Sequence, residues 1–136
     1  MGAAEIDASM YVLGGEDALG ALAAVELYTP AREGDQPWSR RPPMPQARSR
    51  FGTAGVASFS TIYVFGGATP VASLQYNTDT DRWQPTPAAT QGVGSRPGVI
   101  QQDAGIIVLG GQPAAQQYSA IVQRYQALYT IPLPAP

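Results

Sequence analysis

The chain has 136 residues, 44% of them apolar, and a formal charge of −2: enough apolar material for one structural unit, without the basic surplus that would point to nucleic acid or an anionic membrane. It contains no Cys, His or Lys, which excludes within it disulfides, thiolate and imidazole metal sites, Ser–His, Cys–His and Ser–Lys nucleophiles, and a lysine Schiff base. Its 15 glycines and 13 prolines are scattered without a period of three, as in a protein of many short strands and turns.

Met1-Gly2-Ala3-Ala4-Glu5 has neither the basic nor the apolar part of a signal peptide, and position 6 is Ile where a myristoylation signal carries Ser or Thr. Ala3 to Asp7 leaves room for only the stub of a first strand. The apolar run Tyr11-Val12-Leu13 then stops at Gly14-Gly15, an alternating strand follows at Ala24-Val25-Glu26-Leu27-Tyr28, Thr29-Pro30 turns, and Trp38 opens the next strand. Pro42-Pro43-Met44-Pro45 closes this unit. The same order returns as Tyr63-Val64-Phe65-Gly66-Gly67, Ala72-Ser73-Leu74-Gln75-Tyr76, a polar turn from Asn77 to Asp81, Trp83 and Pro85-Thr86-Pro87. A third copy reads Ile107-Val108-Leu109-Gly110-Gly111, Ala120 to Tyr125, Tyr129 in place of a Trp, and Pro132-Leu133-Pro134. No segment reaches the roughly 20 apolar residues of a membrane span.

The second glycines of the pairs stand 52 and 44 residues apart, the spacing of four-stranded repeat units. Apolar, β-branched and aromatic runs of this kind predict strands buried on both faces, and paired glycines permit a turn with positive φ. Gly14, Gly15, Gly66, Gly67, Gly110 and Gly111, with Tyr28, Tyr76, Tyr125, Trp38 and Trp83, are read as the repeating structural motif, the aromatics packing between sheets.

These residues resemble the kelch repeat over roughly residues 4 to 134, and Met44-Pro45-Gln46-Ala47-Arg48-Ser49 is similar to its junction between blades. The resemblance implies an all-β fold of kelch-type β-propeller blades, each of four antiparallel strands. The blades fall at about 4–43, 46–87 and 95–134, the first lacking most of its first strand. The strand count is three, four and four, about two and three-quarter blades of an incomplete ring. Exposed strand edges at both ends suit either a piece of a longer propeller, favoured because the chain starts inside a repeat, or two copies joined into a ring.

In kelch propellers the inter-blade loops and the loops after the glycine pairs share one face, where ligands commonly bind. That implies a candidate ligand site of Arg48, Arg50 and Arg96 from the junctions with Glu16, Asp17 and Thr69 from the loops. Arg48 and Arg96 are matched across blades, although they lie 18 and 14 residues before their glycine pairs. Arg40, Arg41, Arg48 and Arg50 fall in eleven residues without an acid. A guanidinium array of this kind suits carboxylates, which it binds as a bidentate fork. Solvated loop residues, or links between blades, are the plainer explanation.

Asn77-Thr78-Asp79-Thr80-Asp81 looks like the start of a calcium loop, but Arg82 and Ala88 stand where an EF-hand needs Gly and Glu, so it is read as a turn. Gly92-Val93-Gly94-Ser95-Arg96-Pro97-Gly98 lacks the strand, helix and Lys of a phosphate loop and is read as a junction. The expectation is a non-catalytic interaction module for a protein or glycan partner, with no cofactor and no metal. A fragment of a kelch-type carbohydrate-active enzyme, such as a sialic-acid epimerase, is the alternative, and a structural segment of a large bacterial surface protein is a third reading. Galactose-oxidase-like copper chemistry needs the missing His and Cys.

Overall fold

Asp7 and Ala8 both take positive φ, 51° and 60°, and make the two-residue turn that matches the twist of antiparallel strands. They join β1 (Gly2–Ile6) to β2 (Ser9–Leu13) in a fully paired hairpin running from Gly2↔Leu13 to Ile6↔Ser9. The computed structural model describes residues 1–30, 34, 36–68, 72–86 and 93–127. After β2 come the short hairpin β3 (Glu16–Asp17) and β4 (Gly20–Ala21), then β5 (Val25–Tyr28) and β6 (Trp38–Arg41). A second set follows as β7 (Gly52–Val56), β8 (Thr61–Phe65), β9 (Leu74–Asn77) and β10 (Arg82–Pro85). A third is β11 (Gly98–Gln102), β12 (Gly105–Leu109) and β13 (Val122–Gln126).

The fold is all-β, and each set forms its own antiparallel sheet: β1-β2-β5-β6, β7-β8-β9-β10 and β11-β12-β13. The strand count therefore differs from the expected three, four and four. The first sheet has a complete first strand, because the tight Asp7-Ala8 turn leaves five residues to pair. The fourth strand expected for the third unit, with Tyr129, Pro132 and Pro134, lies outside the described residues.

Register makes the three sheets equivalent. Met10, Ile62 and Ile106 each stand four residues before the first glycine of a pair, and they face Tyr28, Tyr76 and Tyr125 across the ladder. Strand alternation then gives each sheet a forward face, toward the next sheet in the chain, and a rear face. The forward face of the first sheet (Ala4, Ile6, Tyr11, Leu13, Val25, Leu27) packs on the rear face of the second (Ile62, Val64, Leu74, Tyr76), with Met44 and Phe51 in the same core. The forward face of the second (Ala54, Val56, Tyr63, Phe65) packs on the rear face of the third (Ile106, Val108), with Val93 and Ala127.

Of the three glycine-pair strands expected to be buried on both faces, only β8 is, at all five positions. In β2 and β12 burial alternates, because each has a neighbouring sheet on one side only. The aromatics follow the same logic. Tyr76 is fully buried with its ring centroid 4.9 Å from that of Trp83, and Trp83 donates Nε1–H to the Pro42 carbonyl at 3.0 Å. The equivalent Trp38, expected to pack between sheets, lies 5.0 Å from Tyr28 but stays 49% exposed on the uncovered rear face of the first sheet. Tyr125 is half-buried, 5.3 Å from Tyr63.

Candidate functional site

Each sheet hands over to the next through a junction segment that lies against the loops after the glycine pairs. The contact is a seam of backbone hydrogen bonds. Gly15 N–H donates to the Arg48 carbonyl and Gly67 N–H to the Gly94 carbonyl, both at 2.9 Å. Ala68 N–H donates to the Ser49 carbonyl at 3.0 Å, Arg96 N–H to the Arg50 carbonyl at 2.6 Å, and Ser95 and Gln112 bridge reciprocally at 2.9 and 2.7 Å. The glycine pairs are needed here for conformation and for space. Gly66 has φ +73°, and a Cβ on it would stand 2.2 Å from the Gly94 carbonyl oxygen.

This seam revises the match between arginines. Because Arg48 and Gly94 accept equivalent bonds from the glycine pairs, Arg48 corresponds to Gly94, and the residue matching Arg96 is Arg50. Arg50 and Arg96 share the left-handed conformation, φ 59° and 55°, each just before the first strand of its sheet. Both are exposed.

Arg48 is not available to a ligand. It is 2% exposed, and its guanidinium donates to the carbonyls of Gly66, at 3.3 Å, and Ala72. Its Nε is buried with no hydrogen-bond partner among the described residues. Burial pulls its pKa below the ordinary arginine value. It ties the junction to the start of β9, a structural link and not a contact surface.

Arg50 reaches Glu16 Oε1 through Nη2 at 3.3 Å, both side chains about half exposed. Asp17 turns away: its Oδ1 accepts the Leu19 N–H at 2.8 Å and holds the tip of the β3–β4 hairpin. Thr69 lies outside the described residues. Beside the seam, a shallow cavity of about 250 Å³ is lined by Arg50, Ser95, Gln112, Ala68 and Pro113. Of the six candidate ligand residues, the structure thus gathers Arg50, Glu16 and Arg96 near this cavity.

Gln112, which the sequence places in the loop after the third glycine pair, lines the cavity, whereas sequence reasoning passed over Ser95 and two apolar tips, Leu19 and Tyr118, which project almost fully into solvent from the loops after the first and third glycine pairs. The signal was there in Leu19: a large apolar residue between Ala18 and Gly20 in a loop too short to bury it.

The turn from Asn77 to Asp81 is built by its own side chain, Asn77 Oδ1 accepting the N–H groups of Asp79 at 2.9 Å and Thr80 at 3.0 Å. Among the described residues no group of three acidic, His or Cys side chains is placed to hold a metal, and no helix is long and apolar enough to cross a membrane. Of the Gly92 to Gly98 segment, Gly92 lies outside the described residues, while Gly94 and Ser95 serve the seam. No family model matches the chain, and no curated protein matches it.

Proposed function

We propose that this chain is an arc of a kelch-type propeller that serves as a non-catalytic binding module, recognising a carboxylate-bearing segment of a protein or glycan partner. The supporting observation is a backbone contact that brings together two exposed arginines of successive sheets, Arg96 and Arg50, the latter lining the 250 Å³ cavity. The kelch resemblance draws support from the succession of antiparallel sheets with glycine pairs in equivalent register. Arginine forks favour carboxylates, Ser95 and Gln112 add neutral donors, and Leu19 and Tyr118 offer apolar contact at the edges. Loops of differing chemistry on a fixed scaffold are the usual place for such recognition.

The test is binding of a fluorescent polyglutamate-containing peptide by anisotropy across a salt series. Binding should be saturable and weaken with salt, and Arg50→Ala with Arg96→Ala should weaken it about tenfold or more. Unchanged affinity in the double variant, with the fold intact by circular dichroism, overturns the reading.

A further inference from the structure

The two internal interfaces are the same interface used twice, and the chain carries an unused copy of each half. At the first joint, Tyr11 on a forward face meets Tyr76 on a rear face with ring centroids 6.1 Å apart; at the second, Tyr63 meets Tyr125 at 5.3 Å. Backbone glycines seat the joints in the same way. A Cβ on Gly2 would lie 2.5 Å from the Phe51 ring and 2.6 Å from Thr53, and one on Gly52 would lie 2.2 Å from Val99. Gly98 is the third member of this series, paired with Leu109 as Gly2 is with Leu13. Among the described residues, a Cβ there would meet only its own sheet, Leu109, at 3.6 Å.

The forward face of the third sheet is accordingly open, with Ile100 51% and Val122 67% exposed around Ile107, Leu109 and Arg124. The rear face of the first sheet is open too: Met10 is 40% exposed where its equivalents Ile62 and Ile106 are fully buried, and Val12, Tyr28 and Trp38 lie beside it. Charge separates the two faces. The forward face of the third sheet carries Arg124, while the rear face of the first carries Glu5 and Glu26 against Arg40 alone.

We propose that the forward face of the third sheet docks on the rear face of the first sheet of a second copy of this chain, reproducing the internal joint. Met1 and Ala3 of one copy, equivalent to Phe51 and Thr53, then sit on Gly98 of the other; Tyr28 meets Ile107; and Arg124 pairs with Glu26. A contact between two unlike faces either closes or runs on as a filament. Two copies bring six such sheets, within the range of roughly four to eight that closes a radial array, so both open faces of each copy are used in a two-chain ring.

Sedimentation velocity and native mass spectrometry of the 14.3 kDa chain should show a dimer. Gly98→Leu fits within a single copy but fills the seat for Met1 and Ala3, and it should raise the dimer dissociation constant about tenfold or more. Arg124→Glu should also weaken the dimer, and adding Glu26→Arg to it should restore association, because both positions are exposed and their charges are exchanged together. A wild-type monomer at every concentration reached overturns the proposal. So does open-ended polymerisation, or a dimer indifferent to Gly98→Leu and to both charge variants.

Discussion

Arg48 and Arg50 are two residues apart and do opposite work. Arg48 donates to two carbonyls at a site closed to solvent, so its removal leaves polar groups desolvated and short of a partner. Arg48→Ala should lower the unfolding free energy by about 3 kcal/mol in a urea titration. Arg50→Ala loses one exposed ion pair with Glu16 and should cost less than about 0.5 kcal/mol. The likeness of the two junction segments matched the wrong arginine to Arg96, although the distances to the glycine pairs, 18 and 14 residues, already disagreed. The connection between β7 and β8 holds a single turn of 3₁₀ helix, Ala57–Phe59, where Asp103 and Ala104 suffice between β11 and β12. The longer connection shifts any spacing measured back from the glycine pair, and only the hydrogen bonds of the seam show where the equivalence lies.

The three glycine pairs look alike as strings of letters but differ in what surrounds them. Gly66, at φ +73°, has the Gly94 carbonyl against it. Gly110, at φ +60°, has among the described residues only the Ser119 carbonyl of its own loop, 3.3 Å from where a Cβ would stand. Gly66→Ala should therefore lower stability by about 3 kcal/mol or more, strain and clash together, and Gly110→Ala by about 1 kcal/mol, strain alone. Parallel thermal melts would separate them. The element boundaries were largely legible because apolar alternation and paired glycines are local signals. The burial pattern was not, since whether β2 or β12 is covered on one face or two depends on which sheet lies next to it.

At the scale of the molecule, the middle sheet carries a buried tyrosine on each face. Desolvation raises the Tyr63 phenol well above its ordinary value of 10.0, with Tyr125 adding to the shift. Desolvation also raises Tyr76, with its hydrogen bond to Asp81 next in importance. Both remain protonated in the fold at a pH where the unfolded chain has lost those protons. Their contribution to stability is complete below the unfolded value near 10 and declines as pH rises above it toward the folded values. An alkaline titration should show cooperative loss of sheet circular dichroism above about pH 10, with the phenolate absorbance of these tyrosines appearing in the same transition. Phenolate absorbance for all seven tyrosines before any loss of structure would contradict it.

The seam between junctions and glycine loops is made largely of main-chain atoms, with the Arg48 side chain and the Ser95 hydroxyl adding to it. Side chains at its surface, Arg50, Ser95, Arg96 and Gln112 among them, project from positions fixed by N–H and C=O groups that every residue except proline supplies in full. On the binding role proposed above, scaffold and recognition would therefore rest on separate sets of atoms. A lineage could exchange the chemistry of this rim residue by residue, acquiring and abandoning partners, while the joints beneath it stay under an unchanged selective constraint.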